Sequence, residues 1–113
     1  MAIVTVRHLP ENKLRDMNSL SGNDEIVSMA KEEMRNNNYV RVAELEVTST
    51  INDCLNLAFK ETQNLHQPWV QNVDVHVEDF CKEGCRSTSV GDIIQIRGIS
   101  YVVMPAGFEE LPN

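Results

Sequence analysis

The stretch Arg86-Ser87-Thr88-Ser89-Val90-Gly91-Asp92-Ile93-Ile94-Gln95-Ile96-Arg97-Gly98-Ile99-Ser100-Tyr101-Val102-Val103 carries the most structural and chemical information in this chain. Its second half reads as two short β-branched runs joined by Arg97-Gly98, the pattern of a tight β-hairpin. Its first half is a heptapeptide with one fixed cation, three hydroxyls, a glycine and a carboxylate. A hairpin this clear makes an antiparallel sheet the expected scaffold, and the heptapeptide is the expected site of activity.

Working backwards, Val73, Val75 and Val77 alternate with Asp74, His76 and Glu78, which predicts a half-buried strand; residues 79–85 then form a loop. Ile51, Leu55, Ala58, Phe59 and Thr62 share one helical stripe, and Thr50 with Asp53 is a start signal. This predicts a helix over about 51–65 that packs on the sheet and stops before Pro68. Residues 39–47 predict a strand whose apolar parity switches near Ala43, the mark of a bulge or of burial on both faces.

The first 38 residues predict a short strand over 3–6 and a weakly periodic helix over 11–20. A break follows at 21–24, where Ser21 and Asp24 resemble a capping box. A helix carrying Ile26, Val27, Met29, Ala30 and Met34 then ends at Asn36-Asn37-Asn38. This segment is expected to be a helical attachment to a unit spanning 39–113. At the other end, Pro105-Ala106-Gly107 turns the chain so that Phe108 and Leu111 can cover the core. The fold class expected is α+β, a small antiparallel sheet packed on a central helix, in one domain overall.

Composition narrows the function. The chain has 113 residues and a formal net charge of −7, with a pI of about 4.8. An acidic surface repels nucleic acid and anionic membrane, so neither is an expected partner. No apolar run is long enough to span a bilayer, and no leader is expected from the first residues. Cys54, Cys81 and Cys85, an odd and sparse set, read as reduced thiols.

The candidate ligand site joins Phe59, Trp69, Asn72, Arg86, Ser87, Thr88, Ser89 and Asp92. A nucleotide requires an aromatic face for its base, cations and N–H donors for phosphate, and amide or carboxylate groups for ribose hydroxyls. These residue types supply all three. They equally suit a Ser/Thr-rich turn before a hairpin, with Asp92 bonding local backbone and the aromatic rings in the core. His76, Cys81 and Cys85 form a possible but unfamiliar metal set without a fourth ligand. No nucleophile elbow is present, so no catalytic residue is named and the chain is expected not to be an enzyme.

The elements Trp69-x-x-Asn72-Val73, Arg86 to Asp92, Tyr101-Val102-Val103 and Gly107-Phe108 resemble a group of short phage and prophage proteins, most closely the first-described type of Thoeris anti-defence protein. The resemblance covers about residues 40–111. It implies a sponge that binds a cyclic ADP-ribose-type signal, glycocyclic ADP-ribose, in the host cytoplasm without cleaving it and without a cofactor. Some members also bind cyclic oligonucleotides at a separate site. The assembly implied is a homo-oligomer, a dimer or hexamer. Carried over by position, Arg86 would contact phosphate, Asp92 and Asn72 ribose, and Phe59 or Trp69 adenine; Arg86→Ala and Asp92→Ala would then lose ligand with the fold intact. Two other functions compete with this one: inhibition of a host protein by direct surface contact, and nucleotide hydrolysis.

Overall fold

The computed structural model describes residues 2–112. In chain order it comprises strand β1 (Ala2–His8), helices α1 (Glu11–Asn18) and α2 (Asn23–Arg35), strand β2 (Val40–Val47), helix α3 (Ile51–Glu61) and strand β3 (His76–Val77). Strands β4 (Ile93–Ile96), β5 (Ile99–Val103) and β6 (Phe108–Glu110) follow. The fold is α+β: one six-stranded sheet in the order β3-β2-β1-β4-β5-β6, with every neighbouring pair antiparallel.

The hairpin forms as its sequence predicts. Ile96 pairs with Ile99, and both turn residues have positive φ, 52° at Arg97 and 79° at Gly98. Left-handed conformation at both central positions matches the turn's twist to that of its strands. The parity switch in β2 is a bulge. Val6 pairs with Ala43 and Arg7 with Arg41, which leaves Val42 as the extra residue.

Both faces of the sheet are covered over part of their area. Val4, Val6, Ile94, Ile96 and Val103 face α3, which buries Cys54, Leu55 and Ala58 against them. Ile93 and Val102 point the other way, onto Met17 of α1 and onto Ile26 and Ala30 of α2. The Thr50 hydroxyl accepts the Asp53 amide and caps α3.

Four expectations are corrected. Residues 1–38 are not an attachment, because β1 lies inside the sheet and is bonded to β2 and β4 on its two edges. Helix α2 starts at Asn23, its N-cap is Gly22 and no side chain caps it, so the Ser21–Asp24 box does not form. Helix α3 ends at Glu61 instead of Leu65, because the Thr62 hydroxyl turns back onto the Ala58 carbonyl at 2.8 Å. The alternating run 73–77 pairs only at His76 and Val77, and Val73 is 96% exposed. A turn closed by the Val75 amide on the Asn72 carbonyl holds the first half of that run off the sheet edge.

Candidate functional site

The heptapeptide is a clasp. Asp92 is fully buried where the loop enters β4. Its carboxylate accepts four N–H groups: Arg86 Nη1 at 2.6 Å on Oδ2, Arg86 Nη2 at 2.8 Å on Oδ1, the Leu9 amide at 2.9 Å on Oδ1 and the Ser89 amide at 2.8 Å on Oδ2. Arg86 also donates to the carbonyls of Leu9 and Ser87. This fork-on-fork pair ties the end of β1 to the loop before β4. Of the guanidinium's donors, only Nε–H has no hydrogen-bond partner among the described residues.

Two of the loop's three hydroxyls, those of Ser87 and Thr88, are also committed, and the half-buried Ser89 hydroxyl has no hydrogen-bond partner among the described residues. The Thr62 hydroxyl donates to the Ala58 carbonyl, so Thr88 donates to Thr62 at 2.7 Å. The remaining 2.8 Å contact, between Thr88 and His8, then takes the His8 Nε2–H as donor. His8 is held neutral. Burial pulls its pKa from 6.5 down to about 4; the nearby Asp92 carboxylate opposes this shift and Arg86 adds to it. Ser87 Oγ accepts the Asn64 amide at 2.8 Å. Gly91 has φ +94°, and a Cβ there would overlap the Met17 side chain. The Gly91 carbonyl accepts the Tyr39 hydroxyl at 2.6 Å, while burial, with Asp92 and Glu33 nearby, raises the pKa of that phenol.

The other candidate residues lie apart from one another. Trp69 is completely buried, and its indole Nε1–H donates to the Arg86 carbonyl at 2.9 Å. It props the clasp from inside and presents no open face. Phe59 packs edge-on to Phe108 at 6.2 Å, beneath the far end of the sheet. Asn72 donates to the Glu61 carbonyl and accepts from Gln67, pinning the segment after α3. Thus Arg86 and Asp92 do face one another, but each grips the other. The local-turn reading of the heptapeptide is the one this geometry matches. In this conformation Asp92 and Trp69 have no surface that a ligand could touch.

Arg86 of the clasp also lines a cleft of about 330 Å³. Leu9, Pro10, Val40, Val42, Phe80 and Cys85 give it a mostly apolar lining, and Glu11 lines it as well. Phe80 is 64% exposed. Sequence reasoning missed Phe80 because it sits in a loop of mixed charge; a large aromatic residue without helical or strand spacing was the available signal. Cys85 is bonded to Cys81, where reduced thiols were expected: a short helical turn at Asp79–Cys81 brings the two Cα atoms to 5.3 Å. Both sulfurs of the suggested metal set are thereby used, and among the described residues no group of three His, Cys, Asp or Glu side chains is placed to hold a metal ion. Among the described residues, no helix is long and apolar enough to cross a membrane.

Compared with protein-family models, curated proteins and solved structures, the chain matches none.

Proposed function

We propose that this protein works by sequestration: it binds a cyclic ADP-ribose-type signal in the host cytoplasm and holds it intact, as the resembling phage anti-defence proteins do. The observation that carries this reading is the cleft beside Arg86. It has the volume of a small-molecule site, a mostly apolar lining, one exposed aromatic ring and Arg86 among its lining residues. Phe80 is the ring available to stack a purine, in place of Phe59 or Trp69. Base stacking on such a ring is worth about 1–3 kcal/mol. Arg86 offers Nε–H as a single directed donor. Because Asp92 matches its charge and Glu11 also lines the cleft, affinity is expected to come from the base and ribose more than from the diphosphate.

The test is retention followed by release. The protein is incubated with cyclic ADP-ribose isomers, freed of unbound nucleotide and heat-denatured, and the supernatant is analysed. Recovery of intact nucleotide supports sequestration, and Phe80→Ala is expected to abolish it while leaving the melting temperature unchanged. Recovery of a cleaved product replaces sequestration with hydrolysis. Failure to retain any isomer overturns the proposal.

A further inference from the structure

His8 closes β1 and is buried, with 5% of its surface exposed. Its imidazole is held in place by a chain of hydrogen bonds. Nε2–H donates to the Thr88 hydroxyl, Thr88 donates to Thr62, and Thr62 donates to the Ala58 carbonyl. The ring also stands edge-on to Trp69, with centroids 6.3 Å apart. Each hydroxyl has one proton to give, so the carbonyl at the end of the chain sets its direction. A neutral imidazole has a single N–H, and this chain places it on Nε2. Nδ1 is therefore an acceptor with a free lone pair. Burial keeps the ring neutral at pH 7.

Among the described residues, no hydrogen bond reaches His8 Nδ1. Yet none of their side-chain nitrogens or oxygens is shut off from solvent without a partner. Nδ1 thus keeps an opening in a side chain that is otherwise buried. The same holds for Arg86, whose Nε–H is the guanidinium's one unpartnered donor among the described residues. Both residues line the cleft that Phe80 also lines.

We infer that His8 is a specificity-determining contact in this cleft: its Nδ1 accepts a hydrogen bond from an amino or hydroxyl group of a bound adenine nucleoside, and Arg86 Nε–H answers an acceptor of the same ligand. The inference rests on the sequestration reading for its choice of ligand, and on the hydrogen-bond chain for its polarity. The ionised diphosphate of a cyclic ADP-ribose has acceptors only. The group that meets Nδ1 is therefore the 6-amino group of adenine or a ribose hydroxyl. A ligand covering Nδ1 strips it of water. An analogue without the matching donor then leaves a buried acceptor unpaired and is rejected.

The test follows the imidazole nitrogen resonances of the intact protein, labelled with 15N-histidine, as nucleosides are added. The probes are adenosine, purine riboside (which lacks the 6-amino group) and 2′,3′-dideoxyadenosine (which lacks the ribose hydroxyls at those positions). Adenosine is expected to move the His8 Nδ1 resonance, while those of the exposed His66 and His76 stay in place. One analogue is expected to bind at least about fivefold more weakly than adenosine and to leave Nδ1 unmoved. Purine riboside in that role assigns the amino group, and dideoxyadenosine a hydroxyl. His8→Phe keeps a ring without nitrogens and is expected to bind that analogue and adenosine equally. If this variant does not fold, the resonances of the unsubstituted protein decide. Failure of adenosine to bind, an unmoved Nδ1 at saturating adenosine, or equal binding of all three nucleosides would each overturn the inference. Retention of a cyclic ADP-ribose isomer with Nδ1 unmoved overturns it and leaves sequestration standing. Movement of Nδ1 by adenosine with no isomer retained overturns sequestration and leaves the contact standing.

Discussion

Replacing Asp92 by asparagine tests whether the heptapeptide is a clasp or an open ligand site. The carboxylate accepts two N–H groups on each oxygen. Asparagine keeps one acceptor oxygen. Whichever way its amide is turned, an NH2 group faces two donors: Arg86 Nη1 with the Ser89 amide, or Arg86 Nη2 with the Leu9 amide. Each buried donor left unpaired costs about 1–3 kcal/mol, and Arg86 loses its counter-charge. Breaking a buried pair costs about 3–5 kcal/mol. Because the Arg86 side chain is 28% exposed while Asp92 is fully buried, solvent screening places the loss near the lower end, about 3 kcal/mol. The assay is urea unfolding. With a slope of about 1–3 kcal/mol per molar for a domain of this size, the midpoint is expected to fall by on the order of 1–3 M. Arg86→Ala is expected to lose a similar amount, and the double variant less than the sum of the two by about 1–3 kcal/mol. A midpoint within about 0.3 M of the parent for Asp92→Asn, together with lost nucleotide retention, would refute the reasoning and return the carboxylate to a ligand-binding role.

Stability is expected to decline on acidification between pH 6.5 and about 4, because the folded state holds His8 neutral while the unfolded chain takes up a proton below its ordinary pKa. The difference between 6.5 and about 4 corresponds to roughly 3 kcal/mol, and His8→Gln should remove most of this slope in urea titrations run across that range. Gly91→Ala is expected to cost about 2–4 kcal/mol, from crowding of Met17 and the positive φ, and a Gly91→Ala/Met17→Ala double variant is expected to lose less than the sum of the two single losses. Thr62→Val removes the acceptor for the Thr88 hydroxyl and the bond to the Ala58 carbonyl, and thermal melts should register a loss of about 1–3 kcal/mol.

Much of the sheet was legible in the sequence because it is written in local chemistry. The hairpin needs only alternating β-branched runs and two residues that accept positive φ. The bulge in β2 shows as a change of apolar parity at Ala43, and α3 as a stripe with a hydroxyl cap. What stayed hidden depends on partners distant in the chain. The strand at residues 2–8 is unremarkable by itself, and its central place follows from pairing with residues 40–47 and 93–96. The run Val73 to Val77 has a strand's alternation, but the Asn72 turn takes half of it away from its neighbour.

The heptapeptide divides in the same way. Its composition determined that a cation, a carboxylate and several hydroxyls stand together before β4, and the six-residue spacing lets Arg86 and Asp92 meet. Only the tertiary structure decided which direction they face. The Leu9 backbone, Trp69 and the Thr62 hydroxyl come from three other segments and surround the loop. A buried carboxylate without water must find its donors within the protein. Residue identity sets which groups can bond, but burial sets which of them remain open to a ligand. That is why Phe80 is accessible while Asp92 and Trp69 are not.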